Sequence, residues 1–189
     1  MRKRIVLFMF VPFLILSFSI TSFGEMSVPK NKQTDLGLYV TAKEAFTKWQ
    51  TAPDKMKILD VRTPGEYIFV GHAPMALNIP IKFLKTEINP KNMHPVMPLN
   101  ENFVGEVKKK YTETDTIMVM CRSGSRSAAA VNILTGVGFK HVYNIIDGFE
   151  GDKLNVPASY NNGKRIVNGW RNSGAPWTYK LDPKLMYLP

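Results

Sequence analysis

Thr116-Ile-Met-Val-Met-Cys121-Arg-Ser-Gly-Ser-Arg126-Ser-Ala-Ala-Ala-Val-Asn-Ile-Leu-Thr-Gly-Val137 changes character twice within its length. Residues 116–120 form an apolar run with β-branched members, short enough to be a buried strand. Residues 121–126 are small, polar and basic, and they include the single cysteine of the chain. From Ser127 onward, apolar side chains recur at Ala130, Ile133, Leu134 and Val137, which is one face of a helix over 127–137, closed by Gly136 and Gly138. In sheets assembled from strand and helix in alternation, ligands bind beyond the carboxyl ends of the strands. Cys121 stands at such an end.

The same alternation extends outward on both sides. Thr41 reads as an N-cap with Glu44 three residues on, followed by a helix over 42–50 with Ala45, Phe46 and Trp49 on its apolar face. Residues 57–61 read as a buried strand that runs through Arg62 into a turn at Pro64-Gly65, and residues 77–79 as a second strand stopped by Pro80. Pro90, Pro95 and Pro98 break any period between residues 89 and 102, so this segment is expected to be a long loop of the kind that borders a site. A helix over 101–111 and a strand over 141–146 complete the pattern, and no internal repeat is visible. Strands alternating with helices imply parallel pairing through right-handed crossovers. The expected fold class is α/β, with three layers: a mostly parallel central sheet and helices on both faces.

Composition narrows what such a domain does. Of 189 residues 44% are hydrophobic, enough for a packed core, which excludes a disordered tail or a coiled rod. One cysteine excludes an intramolecular disulfide framework and any zinc site built on several thiolates. His94 and His141 have no companions at ligand spacing, so no metal or other cofactor is expected. The formal charge is +10, but Arg2, Lys3 and Arg4 precede an apolar stretch over 5–20 and small residues before Glu25, the layout of a signal peptide cut between Gly24 and Glu25. Removing residues 1–24 lowers the charge to +7. The expected location is periplasmic or secreted, with membrane contact only through the signal peptide before cleavage; an uncleaved N-terminal membrane anchor is the alternative. Lys108-Lys109-Lys110 is the only basic run and has no interleaved aromatics, so nucleic acid is not an expected partner. The excess charge suits small anionic substrates or an acidic partner. Residues 25–36 read as a flexible leader.

The chemistry concentrates at residues 121–126. A loop between a strand and a helix N-terminus turns its backbone N–H groups into a nest that binds anions and favours thiolate over thiol. Arg122 and Arg126 add positive charge, and Gly124 lets the backbone turn without a Cβ in the way.

Three motifs in order resemble the rhodanese family of sulfurtransferases over roughly residues 39–176. They are Ile58-Leu-Asp60-Val-Arg62-Thr-Pro-Gly-Glu-Tyr67 with Gly71-His72-Ala-Pro-Met-Ala-Leu-Asn-Ile-Pro80, then Cys121-Arg-Ser-Gly-Ser-Arg126, then Val142-Tyr-Asn-Ile-Ile-Asp-Gly-Phe-Glu-Gly151. The resemblance implies a three-layer rhodanese-like domain in which Cys121 takes up a sulfane sulfur as a persulfide. Arg122, Ser123, Gly124, Ser125 and Arg126 would cradle that sulfur through their backbone amides. It also implies that Asp60 and Arg62 form a chiefly structural pair and that His72 is a hydrogen-bonded structural histidine. Four residues separate Cys121 from Arg126. The related dual-specificity phosphatases have five, for a larger phosphate, so phosphatase or arsenate reductase chemistry is disfavoured.

The implied activity is transfer of sulfur from a small anionic donor such as thiosulfate to a thiol or to cyanide, with a redox partner protein as a further acceptor. A module that only carries sulfur or binds a partner is the alternative. The chain departs from the family pattern in two places: residues 152–167 are inserted before Trp170, Gly174 and Pro176, and the tail 177–189 is unusually apolar and is expected to pack on the domain.

Overall fold

The computed structural model describes residues 27–188, so the signal-peptide reading of residues 1–24 lies outside the described residues. Among the described residues no helix is long and apolar enough to cross a membrane. The elements run β1 (Tyr39–Val40), α1 (Ala42–Thr51), β2 (Met56–Asp60), α2 (Pro64–Phe69), β3 (Leu77–Asn78), β4 (Ile88–Asn89), β5 (His94–Pro95), α3 (Phe103–Lys108), β6 (Thr116–Met120), α4 (Ser125–Gly136) and β7 (Val142–Ile145).

Five strands form one sheet in the order β1-β7-β6-β2-β3, and all the paired strands are parallel. Because successive side chains in a strand point to opposite faces, the sheet has two apolar surfaces, each covered separately. Leu59, Ile117 and Val119 meet Phe103 and Val107 of α3 and Ala130, Val131 and Leu134 of α4. Ile58, Met118 and Met120 meet Ala42 and Ala45 of α1 together with Trp170 and Phe149. Full burial of each Ile, Leu or Val contributes roughly 1.5–3 kcal/mol, and this double covering is why β6 is apolar from Ile117 to Met120 without polar alternation. Register places Asp60 beside Met120 and Val119 beside Asn144, so the loops leaving β2, β6 and β7 emerge at one edge.

The structure departs from the sequence reading at several points. Pro64-Gly65 is not a turn but the first turn of α2: Thr63 Oγ1 accepts from the Glu66 amide at 3.2 Å and Glu66 Oε2 accepts from the Thr63 amide at 3.0 Å. Proline at the first helical position loses nothing, since its missing N–H would have had no partner there. The described part of the leader, residues 27–36, lies against the domain. Lys30–Lys32 is a turn of 3-10 helix; Asn31 Nδ2 donates to Ser125 Oγ at 2.9 Å, Lys32 is buried, and the Asp35 amide donates to Asn132 Oδ1 at 3.0 Å. Its polar residues have partners on α4 and β7, which composition alone does not reveal.

Residues 82–99 fold back as an antiparallel arm, which takes in most of the segment 89–102 expected to be an irregular loop. Lys82 bridges Leu99, the Phe83 amide donates to Pro98 O at 3.0 Å, the Lys85 amide to Val96 O at 3.0 Å, and β4 pairs with β5. The inserted segment 152–167 is likewise a hairpin, with Lys153 bridged to Arg165. In the tail, Thr178 and His72 exchange backbone hydrogen bonds at 2.8 and 2.9 Å, Leu185 O accepts from the Asn78 amide at 2.7 Å, and Tyr187 lies against Phe83.

Candidate active site

Cys121 follows β6 directly and is buried, 2% exposed. The Gly124 amide donates to its Sγ at 3.2 Å. The Ser127 hydroxyl lies between that sulfur, at 3.5 Å, and Gly124 O, at 3.1 Å. Ser127 is a site residue the sequence reading passed over, because its place in the apolar helix period hides a hydroxyl turned back over the loop.

The loop is held from behind. Phe149 N–H donates to Cys121 O at 2.8 Å, Glu150 N–H to Arg122 O at 2.9 Å, and Asn144 Nδ2 to Gly124 O at 3.1 Å. A trans peptide keeps its C=O and N–H on opposite sides, so the amides of Arg122, Ser123 and Ser125 turn away from this backing. The N-terminus of α4 adds its dipole at the same point. Gly124 has φ +99°, and a Cβ there would strike the Ile146 carbonyl; Gly148 has φ +62°, and a Cβ there would come 2.7 Å from the Ser123 amide nitrogen. Backbone passes backbone too closely at both points for any other residue.

The two arginines of the loop have different surroundings. Arg126 forms a two-pronged pair with Glu66, Nη1 to Oε2 at 2.7 Å and Nη2 to Oε1 at 2.6 Å. Burial works to raise the Glu66 carboxyl, but the hydrogen bonds and charge of Arg126, helped by the Thr63 amide and Arg62, bring it down from 4.5 to about 2. Burial likewise works against the Arg126 charge, yet Glu66 holds the guanidinium more firmly protonated than usual. The pair joins α4 to the cap of α2, and the two charges cancel. Arg122 is exposed and has no carboxylate partner among the described residues.

Asp60 and Arg62 are both fully buried and bonded to each other, with Nη2 to Oδ2 at 2.6 Å and Nε to Oδ1 at 3.0 Å. Arg62 also donates to Gly71 O at 2.8 Å and lies 4.1 Å over the Phe149 ring. Breaking a pair so enclosed leaves an uncompensated charge in the core and costs about 3–5 kcal/mol. His72 is buried with Nδ1 3.1 Å from Tyr67 O and its ring stacked on Tyr67 at 3.8 Å. None of the three lines the cavity over Cys121.

That cavity is about 500 Å³. Cys121, Arg122, Ser123, Ser125 and Arg126 form one wall, and Thr63 and Glu66 add to it. The arm forms the other: Lys82, Leu84, Pro95 and Met97 alternate along its paired strands onto one face, with His94 beside them. The prolines of residues 89–102 pointed to a loop near a site, but the contribution of Lys82 and Leu84 had no local signal.

The chain belongs to the rhodanese-like domain family, whose pattern it matches over residues 42–154. It is 32% identical over 126 residues to an uncharacterized protein of Rickettsia conorii, an alignment covering 67% of this chain and 85% of that one. It is also 34% identical over 93 residues to the chloroplastic thiosulfate sulfurtransferase 16 of Arabidopsis thaliana, covering 49% of this chain and 70% of that protein. Among solved structures, it resembles the crystal structure of Rv0390 from M. tuberculosis with a TM-score of 0.57 and 26% identity, over 75% of this chain and 96% of that one.

Proposed function

We propose that this rhodanese-like domain is a sulfurtransferase that carries a sulfane sulfur on Cys121. The observation that supports it most directly is the Cys121 loop, where the sulfur accepts the Gly124 amide at 3.2 Å and faces an open cavity lined by Arg122, Ser123 and Ser125. The thiolate of Cys121 attacks the outer sulfur of thiosulfate, the sulfur–sulfur bond of the donor breaks, and sulfite leaves with the bonding pair. Arg122 attracts the dianionic donor, and the amides of the loop stabilise the negative charge on the terminal sulfur of the persulfide. Cyanide or a thiol then attacks that terminal sulfur and returns Cys121 to thiolate, which makes the cycle ping-pong. Four residues between Cys121 and Arg126 leave a ring suited to a sulfur atom rather than a phosphate.

The test is mass spectrometry of the protein after incubation with thiosulfate. Gain of one sulfur atom's mass on Cys121, and loss of thiocyanate production by at least about a thousandfold in Cys121→Ser, are the expected results. An unmodified Cys121, or a serine variant with unchanged turnover, overturns the assignment. Turnover with thiosulfate and cyanide separates an enzyme from a module that only carries sulfur.

A further inference from the structure

The cavity over Cys121 is larger than an inorganic donor or cyanide requires. About 500 Å³ falls within the roughly 300–1,000 Å³ of sites that enclose organic ligands. Its two walls also differ in chemistry. The loop side offers backbone amides and the Arg122 guanidinium, and the arm side offers the Lys82 ammonium next to the apolar side chains of Leu84, Pro95 and Met97. With Arg126 neutralised by Glu66, Arg122 and the half-buried Lys82 are the lining cations that lack a carboxylate partner among the described residues. Unpaired cations beside an apolar ledge suit a ligand with a carbon skeleton and an anionic group.

We propose that the sulfur acceptor is an organic thiol with an apolar skeleton and a carboxylate or sulfonate. Lys82 and Arg122 bind its anionic group, and Leu84, Pro95 and Met97 receive its skeleton. Lys82 is then a specificity-determining residue supplied by the arm. The proposal rests on the sulfurtransferase reading above. In the transfer step, the acceptor sulfur attacks the outer sulfur of the anionic Cys121 persulfide, and the proton that the acceptor thiol gives up passes to that outer sulfur. The bond from that sulfur to Sγ breaks, the electron pair stays on Sγ as thiolate, and the outer sulfur leaves with its proton as an organic hydropersulfide. No external oxidant or reductant is consumed.

The test uses the full chain loaded with thiosulfate and freed of donor, then mixed in single turnover with para-mercaptobenzoate or with para-mercaptobenzamide, its uncharged counterpart. Loss of the added sulfur mass from Cys121 is followed over time. The acid is expected to discharge the persulfide about tenfold faster than the amide, and Lys82→Gln to bring that ratio to within about twofold. Lys85→Gln, on the outer flank of the arm where Lys85 pairs with Glu87, should leave the ratio as it is. A ratio near one in the unaltered protein, or a high ratio that survives Lys82→Gln, overturns the proposal while the sulfurtransferase reading stands. Failure of thiosulfate to load any persulfide overturns both.

Discussion

The cysteine loop at residues 121–126 and the arm at residues 82–99 face each other across one cavity, yet they are held in different ways. The loop has backbone or side-chain donors on its carbonyls, glycines where another chain segment passes, and an ion pair at its far end. The arm is held to the body at its base, where Asn100 Nδ2 donates to Pro80 O at 2.9 Å, and further out mainly by its own ladder. Several of its apolar side chains stay in solvent: Leu84 is 58% exposed, Ile88 52% and Met93 75%. The fixed wall sets out the donors for the reacting sulfur in advance, which catalysis by electrostatic complementarity requires. The exposed wall contributes little to folding, so it is where acceptor preference can change without endangering the fold.

The sharpest way to break this contrast is a Cβ in the loop. Gly124→Ala combines a left-handed φ with collision against the Ile146 carbonyl. It should cost about 3 kcal/mol of stability or more, read as a lowered urea midpoint, and should reduce the yield of persulfide in the protein that remains folded.

Next in size is Glu66→Gln. The folded-state pKa of Glu66 is depressed from 4.5 to about 2, so its stabilisation is complete above pH 4.5 and is lost as pH falls through the folded value. The shift corresponds to about 3 kcal/mol at most. Glu66→Gln should therefore lower the midpoint at neutral pH and flatten the loss of stability between pH 4.5 and about 2, as followed by circular dichroism during acid titration. An acid limb identical to that of the unaltered protein would show that the Arg126 pair does not anchor the loop.

The smallest stability effect belongs to the arm. Leu84→Ser should change the unfolding free energy from urea titration by no more than about 0.5 kcal/mol while altering the KM of organic acceptors. A large loss of stability would mean that the arm is part of the core.

What the sequence made legible follows the same division. β6 coincides with the apolar run over 116–120, and the Thr41–Glu44 capping box starts α1 where its spacing said. Such signals are local, carried by hydrophobic period and by side chains that serve their own backbone. Thr63 and Glu66 carry the same capping signal, but Pro64-Gly65 between them is also a turn signal, and the pairing of Glu66 with Arg126 spans 60 residues. Lys82 and Ser127 reach the site through pairing and helix phase, neither of which their neighbours in sequence announce. β1 has no sequence signal because a two-residue strand has no period, and only its alignment with Asn144 and Ile145 defines it.

The hydrogen bonds behind the cysteine loop bear on how the protein could be divided. A fragment limited to residues 42–154, the stretch matched by the family pattern, would lose Leu38 O and Val40 O, which accept from the amides of Asn144 and Ile146 at 2.9 and 3.0 Å. It would lose Lys32 O, which shares the Asn144 side chain with Gly124 O, and Lys32 Nζ, which pairs with Asp152 at 2.8 Å. On the other side the amides of Trp170 and Arg171, bonded to Gly148 O and Phe149 O at 2.8 and 2.9 Å, would also go, together with the fully buried Trp170 ring. Segment 144–151 would then be stripped on both flanks. For grafting, fusion or expression in isolation, the portable unit starts before Lys30 and extends past Trp170, so the module that can be moved is longer than the one that is recognised.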